Sequence, residues 1–105
     1  MLVEFGDLAL AEIEAAALHY ESEYPGRGLR FLDELREATT QLGAFPRAGA
    51  VCGDALAELD LRRLQVPRFP YQLLYRLRPH PFVIAVAHHR QEPLYFVDRL
   101  GEPTS

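Results

Sequence analysis

Two stretches of the N-terminal half carry apolar residues at helical spacing, and each predicts an amphipathic helix. The first follows Asp7, the expected N-cap, and stops at Pro25-Gly26, because proline disfavours helix in the residue before it. Glu12 and its neighbouring glutamates lie off the apolar stripe and are expected to face solvent. The positions expected to face the core are Leu10, Ile13, Ala17, Tyr20 and Tyr24 in the first helix and Phe31, Leu35, Ala38, Leu42 and Phe45 in the second.

The remaining apolar runs predict strands. Val3 and Phe5 alternate with Leu2 and Glu4 and indicate a short first strand, whereas residues 46–57 are rich in Gly, Ala and Pro and predict a loop. The run 82–87 is apolar on both faces, as is typical of a central strand. The later strands are expected around Leu59, Leu61 and Leu64, over 69–76 and over 82–87, with a hairpin turn at Pro79-His80-Pro81.

This order, β-α-α-β-β-β, predicts an α+β fold in which residues 1–105 form one domain. The helical hairpin returns the first strand to the sheet, so that strand is expected to lie parallel to a central strand while the later strands pair antiparallel. The helices would cover one face of the sheet. The other face is expected to be open to a partner and to be flanked by Arg62, Arg63, Gln72, Arg76 and Arg90.

The charge is distributed unevenly along the chain. The formal net charge is −4, which argues against a general nucleic-acid binder. Residues 1–60 hold four arginines and twelve acidic residues, whereas residues 61–105 hold seven arginines and three acidic residues, and lysine is absent. The second half is therefore expected to present the positive surface, and its arginines suit bidentate recognition of anions.

The sequence also argues against a membrane protein, a secreted protein and a metal site. No apolar run approaches the ~18 residues that a membrane span needs, and the N-terminus does not resemble a signal peptide. The single Cys52 cannot form an internal disulfide, which suits the cytoplasm. His88 and His89 are adjacent, so on a strand they point to opposite faces and cannot share a metal ion. His19 and Glu23 are expected to form a solvated pair. We expect neither a cofactor nor a metal.

An ordered set of motifs is similar to a known family. The combination Phe-Pro-Tyr-x-x-x-Tyr-Arg at 69–76 with Ala-His-x-Arg-x-x-Pro-x-Tyr at 87–95 carries most of the resemblance. The supporting pieces are Tyr20 and Tyr24 before Pro25-Gly26, the run 28–35, Phe45-Pro46, Arg68, Phe96 and Arg99. Together they resemble the RelE/ParE family of toxins from type II toxin–antitoxin systems, and more closely its ParE branch.

The resemblance implies a fold, a partner and a choice of targets. The implied fold is the one predicted above, and the implied partner is a small cognate antitoxin, commonly of the ribbon-helix-helix type. RelE-like members cut messenger RNA on the ribosome, whereas ParE-like members inhibit DNA gyrase, are not hydrolases and stabilise plasmids. RelE-like enzymes use lysines, arginines and a C-terminal tyrosine. Here Tyr95 matches, but Gln72 and His89 stand where arginines are expected.

Three hypotheses follow from the resemblance. The first is a ParE-like inhibitor of gyrase, without enzymatic activity, whose target-binding residues are Arg62, Arg63, Arg76, Arg90, Tyr95 and Arg99. The second is a ribosome-dependent endoribonuclease, for which the catalytic candidates are His89, Arg90 and Tyr95. The third is a non-toxic module that still binds the antitoxin, suggested by the departures at Gln72 and His89.

Overall fold

The computed structural model describes residues 2–52, 60–77, 79–91, 95–96 and 98–99. Within these residues two helices pack on one face of a mixed five-stranded sheet, as the predicted α+β fold requires. The elements are β1 (Glu4–Phe5), α1 (Asp7–Glu23), α2 (Arg27–Ala44), β2 (Ala50–Val51), β3 (Leu61–Gln65), β4 (Tyr71–Leu77) and β5 (Pro81–His88).

The sheet order is β1-β5-β4-β3-β2, with β1 parallel to β5 and the other neighbours antiparallel. The predicted parallel position of the first strand is therefore confirmed. The prediction of a loop over 46–57 is wrong at Ala50–Val51, which pairs with Arg62 and Arg63 as a short edge strand; residues 53–57, like Leu59, lie outside the described residues. A bulge between Leu74 and Tyr75 shifts the register against β5.

One carboxylate stabilises the turn between the two helices. Gly26 adopts a left-handed φ of 89°, which a glycine permits, and precedes α2 without any side-chain cap of its own. The Glu21 carboxylate of α1 instead accepts hydrogen bonds from the backbone N–H groups of Gly26 (2.9 Å) and Gly28 (3.1 Å). These donors have no partner inside the helix, so Glu21 does the work of an N-cap for α2.

Several predicted positions differ from the structure near the helix ends. The N-cap of α1 is Gly6 and not Asp7, because the Gly6 carbonyl already accepts the first helical bond, from Leu10. Leu10 and Tyr24 are 51% and 69% exposed, since the buried stripe of α1 is set by Ala9, Ala16 and Tyr20. Phe45 is 67% exposed because the helix ends at Ala44 and the backbone turns away.

The main core lies between the helices and the sheet. Phe31 of α2 is fully buried, and its ring centroid lies 5.5 Å from that of Tyr20, 5.3 Å from that of Phe69 and 5.2 Å from that of Tyr71. The latter two rings meet Phe31 edge-on, an arrangement that favours aromatic attraction. This aromatic cluster joins both helices to β4 and to the turn before it, so it fixes the hairpin on the sheet.

A second apolar cluster covers part of the opposite, outer face of the sheet. It comprises Cys52, Leu61, Leu74, Ile84, Ala85, Ala87 and Phe96. The prediction that this face is fully open is therefore wrong, because Phe96 packs against it. Arg62 is also misplaced by the prediction, since it pairs with Tyr75 in the register and its side chain shares the helix-side face.

The loop after α2 is held by a buried tyrosine. The Tyr75 hydroxyl donates to the carbonyl of Pro46 (2.8 Å) and accepts from the N–H of Gly49 (2.9 Å), and the Tyr75 side chain is fully buried. Gly49 is required there because a Cβ would lie 2.5 Å from the Tyr75 hydroxyl oxygen. The Arg62 guanidinium also donates to the Gly49 carbonyl (2.9 Å), so the loop is fastened from two strands.

Replacing Tyr75 with phenylalanine should lower the free energy of unfolding by about 1–2 kcal/mol. The ring would still fill the core, but the Gly49 N–H and the Pro46 carbonyl would lose a buried partner. Urea unfolding followed by circular dichroism measures the change. Tyr24→Phe is the matched control, since that hydroxyl is on a side chain 69% exposed; equal losses in both variants would contradict the assignment.

Candidate functional site

An open cleft of about 590 Å³ lies on the outer face of the sheet, and we call it the outer cleft. Its polar side chains come from β3, β4 and the turn after β5. It is lined by Ala48, Ala50, Arg63, Leu64, Gln65, Gln72 and His89. Ala48 and Ala50 have small side chains and Arg63 lines the same cleft, so the cleft can admit a polar or anionic group of a partner.

The orientation of His89 in this cleft is fixed by Gln65. The Gln65 amide nitrogen donates to the carbonyls of Val66 (3.0 Å) and Phe69 (2.7 Å), which leaves its oxygen as the acceptor. That oxygen lies 2.8 Å from Nε2 of His89, so a neutral His89 carries its proton on Nε2. The Nδ1 atom is then the hydrogen-bond acceptor that His89 offers to a ligand.

His88 and His89 point to different faces, as predicted from their adjacency. The His88 ring packs edge-on against Tyr71, with centroids 5.0 Å apart. Burial lowers the pKa of His88, and the nearby Arg90 and His89 lower it further. His88 is therefore neutral near pH 7, and its Nδ1 accepts a hydrogen bond from the Arg90 N–H (2.9 Å).

The predicted target-binding arginines occupy different environments. Arg63 and Arg90 are exposed, with Arg63 at the outer cleft and Arg90 in the turn that follows β5. Arg76 is half-buried on the outer face opposite Leu61. The Arg62 guanidinium donates to the carbonyls of Arg47 (3.4 Å) and Gly49 (2.9 Å) in the loop after α2. Arg63 and Arg90 are thus the two of these four whose side chains are most accessible.

The remaining predicted residues, Tyr95 and Arg99, meet at Glu12 of α1, and we call these three residues the clasp. The Tyr95 hydroxyl donates to Oε2 of Glu12 (2.6 Å), and Arg99 donates from both terminal nitrogens, to Oε1 (2.8 Å) and to Oε2 (3.4 Å). The guanidinium also lies over the Tyr95 ring, 5.1 Å from its centroid. The side chains of Glu12 and Arg99 are 19% and 16% exposed.

The clasp closes the open edge of β5. The short β1 pairs only with Phe82 and Val83 of β5. Beyond them the N–H of Val86 donates to Glu12 (3.0 Å), and the carbonyl of Ile84 accepts from Arg99 (3.2 Å). Side chains therefore satisfy backbone groups that would otherwise be free to pair with another strand.

Tyr95 is poorly suited to proton transfer in this arrangement. Burial raises its pKa well above the ordinary value, and the hydrogen bond to the Glu12 carboxylate and the charge of that group raise it further. The phenol therefore stays protonated as a donor to Glu12. Among the described contacts none joins Tyr95 to His89, so the structure does not bring these two catalytic candidates together.

The outer surface of α1 has a different chemistry. Leu8 and Leu18 are 46% and 63% exposed and lie, with Ala11 and Ala15, along one stripe of the helix. The helix carries five acidic residues and no arginine, and its His19–Glu23 pair is solvated as predicted. This apolar stripe, formed by Leu8, Ala11, Ala15 and Leu18 on an otherwise acidic helix, is called the α1 stripe below.

Sequence reasoning missed the role of Glu12. Its position off the apolar stripe predicted a solvated side chain, but the structure places it at the centre of the clasp. The signal that could have found it is its place on the face of α1 that meets the sheet, between the buried Ala9 and Ala16. A carboxylate at such a position requires partners, because burying an unpaired charge is costly.

The part of the chain that the structure describes shows neither a membrane-spanning helix nor a metal-binding group. Neither α1 nor α2 is long and apolar enough to cross a membrane. No group of three His, Cys, Asp or Glu side chains in residues 2–52, 60–77, 79–91, 95–96 and 98–99 could hold a metal ion.

Comparison with known proteins identifies a family and shows similar solved structures. The model of the family described as "ParE toxin of type II toxin-antitoxin system, parDE" matches residues 3–93. A solved chain of the chromosomal ParDE TA system from P. aeruginosa is similar at 20% identity, with a TM-score of 0.69, over 84% of this chain and 95% of that chain. The search of curated proteins gives no match.

Proposed function

Since the chain belongs to the ParE toxin family of type II toxin–antitoxin systems, we propose that it inhibits DNA gyrase in the cytoplasm and that a ribbon-helix-helix antitoxin neutralises it. The family membership carries the toxin function and the existence of an antitoxin partner. The gyrase target and the type of antitoxin are parts of the proposal. The structural relative is 20% identical to this chain and supports the fold alone.

The accessible arginines support a binding function over catalysis. Arg63 and Arg90 present positive charge outside the core, while the Tyr95 hydroxyl is bound to Glu12 and held in its protonated form. An inhibitor needs a surface that a large target can reach, and exposed arginines are frequent energetic anchors in such interfaces. We assign the contact with gyrase to the outer cleft and Arg90.

The α1 stripe supports a separate contact with the antitoxin. Exposed Leu8 and Leu18 form an apolar strip on a helix whose charged residues are all acidic. A partner segment with apolar side chains flanked by basic residues complements such a surface. The antitoxin and the target would then bind different faces of the toxin.

A gyrase supercoiling assay with purified protein tests the target. Replacing both Arg63 and Arg90 with alanine should raise the concentration for half-inhibition at least ~10-fold, equivalent to about 1.4 kcal/mol of binding. The matched control is the double variant Arg30→Ala/Arg36→Ala, which removes the same charge from exposed positions of α2. The control should inhibit like the unaltered protein.

Two results would contradict the proposal. Unaltered protein that fails to inhibit supercoiling excludes gyrase as the target, and equal inhibition by both double variants excludes the outer cleft as the contact. A parallel experiment induces the chain without antitoxin in a bacterial host and follows thymidine and methionine incorporation. Gyrase inhibition requires DNA synthesis to fail first.

The Gln65–His89 pair favours a second candidate function, cleavage of messenger RNA on the ribosome. A histidine held in one tautomer beside an arginine is a suitable general base for attack by a 2′-hydroxyl group. If protein synthesis fails first and messages are cut in a translating extract, this function replaces gyrase inhibition. His89→Ala should then abolish cleavage, and absence of cleavage in the extract eliminates it.

A further inference from the structure

Glu12 joins three parts of the chain that are far apart in sequence. Its carboxylate accepts the N–H of Val86 from β5, the Tyr95 hydroxyl and both terminal nitrogens of Arg99. Hydrogen bonds to an ionised carboxylate are about twice as strong as neutral ones, and they gain further from partial burial.

The clasp also determines where Phe96 lies. Phe96 directly follows Tyr95 and is 5% exposed in the outer apolar cluster with Cys52. The Arg99 N–H donates to the Phe96 carbonyl (2.9 Å), so the two ends of this turn are fixed to each other. Releasing Tyr95 and Arg99 from Glu12 would free the turn and allow Phe96 to leave the sheet.

We propose that Glu12 is the positioning residue for the segment that carries Tyr95, Phe96 and Arg99, and that growth inhibition requires the clasp to keep this segment on the sheet. This inference rests on the proposed toxin function. It adds that α1, through Glu12, determines the arrangement of Tyr95, Phe96 and Arg99, which lie more than eighty residues away from Glu12 in sequence. Glu12 acts through Tyr95 and Arg99 and need not contact the target.

Hydrogen exchange at the Arg99 amide tests the clasp without any assay of activity. In the full-length protein, Glu12→Ala and Tyr95→Phe should each speed exchange of this amide at least ~10-fold, because exchange follows the local opening of the turn. Glu12→Gln keeps an oxygen acceptor and should have a smaller effect. Labelling of Cys52, the single cysteine, by a thiol reagent should rise in parallel, since Cys52 is 9% exposed beside the same cluster.

Two controls separate the clasp from general loss of stability. Glu14→Ala changes an exposed glutamate of the same helix and should leave the exchange of the Arg99 amide unchanged. Glu21→Ala removes the cap of α2, and so it destabilises the protein at a site away from the clasp. Glu21→Ala should lower the melting temperature and leave exchange at Arg99 unaffected. If Glu12 acted only through the overall stability of the protein, Glu21→Ala would speed this exchange as well.

Growth inhibition by the same variants completes the test. Glu12→Ala and Tyr95→Phe, when soluble and folded, should lose toxicity in a host where the unaltered chain and Glu14→Ala stop growth. Unchanged exchange at Arg99 in both clasp variants overturns the clasp, whatever growth shows. Faster exchange with full toxicity overturns its functional importance. If the unaltered chain does not inhibit growth, the proposed function fails and the functional part of this inference fails with it, while exchange still decides the clasp.

Discussion

Replacing Phe31 with alanine is expected to lower the free energy of unfolding by about 3–5 kcal/mol, the largest loss predicted here for a single side chain. Phe31 is fully buried, and three aromatic rings lie with their centroids within 5.5 Å of its own. Removing it loses the transfer free energy of the ring and leaves a cavity between both helices and β4. A domain of this size has about 5–15 kcal/mol of stability, so much of it would be lost.

Urea unfolding monitored by circular dichroism measures this loss. Leu29→Ala is the matched control, since Leu29 lies two residues earlier on α2 and is 67% exposed. The control should change stability by less than about 0.5 kcal/mol. Phe31→Leu, which retains most of the volume, keeps the prediction measurable if the alanine variant does not fold. Similar stabilities of Phe31→Ala and Leu29→Ala would show that the aromatic cluster does not fix the helical hairpin.

Replacing Gly28 with alanine is expected to destabilise the protein by about 2–3 kcal/mol, although alanine is the better helix former by about 1 kcal/mol. A Cβ at this position would lie 2.6 Å from the Ala17 carbonyl oxygen and 3.0 Å from the Cβ of Glu21. The nearest atom is backbone, so α1 and α2 would have to separate. The same shift would disturb the Glu21 carboxylate that caps α2.

The sign of the change makes this prediction decisive. Thr40→Ala is the control, because Thr40 is exposed on the same helix and its replacement gains helix propensity without a clash. Thermal unfolding should show a lower melting temperature for Gly28→Ala and an equal or higher one for Thr40→Ala. A stabilised Gly28→Ala would mean that the helices do not approach each other at Gly28.

The central positions of the helices could be predicted from the sequence, and the positions at their ends could not. Phe31, Leu35 and Ala38 are buried as their spacing requires. Tyr24 and Phe45 extend the same spacing but lie where the chain leaves the helix, so their side chains face solvent. Periodicity records one face of a continuous helix, and it carries no information once the backbone turns.

The candidate site was predicted as a set of residues but not as an arrangement. Tyr95 and Arg99 were identified from the resemblance, and their common partner Glu12 was not, because it lies more than eighty residues away in sequence. The register of β3 decided that Arg63 faces the outer cleft and that Arg62 faces the loop after α2. Target binding by these arginines stays a prediction.

The sequence by itself determined the class of fold, the family and the order of the elements apart from the edge strand β2, since these depend on local periodicity and on motifs that are read along the chain. The tertiary structure alone decided which face each charged side chain occupies and which partners it meets. Alternate residues of a strand face opposite sides, so strand register and the bulge at Leu74/Tyr75 set those faces. Burial then decided which partners are needed, because a partly buried carboxylate such as Glu12 is stable only where hydrogen-bond donors surround it.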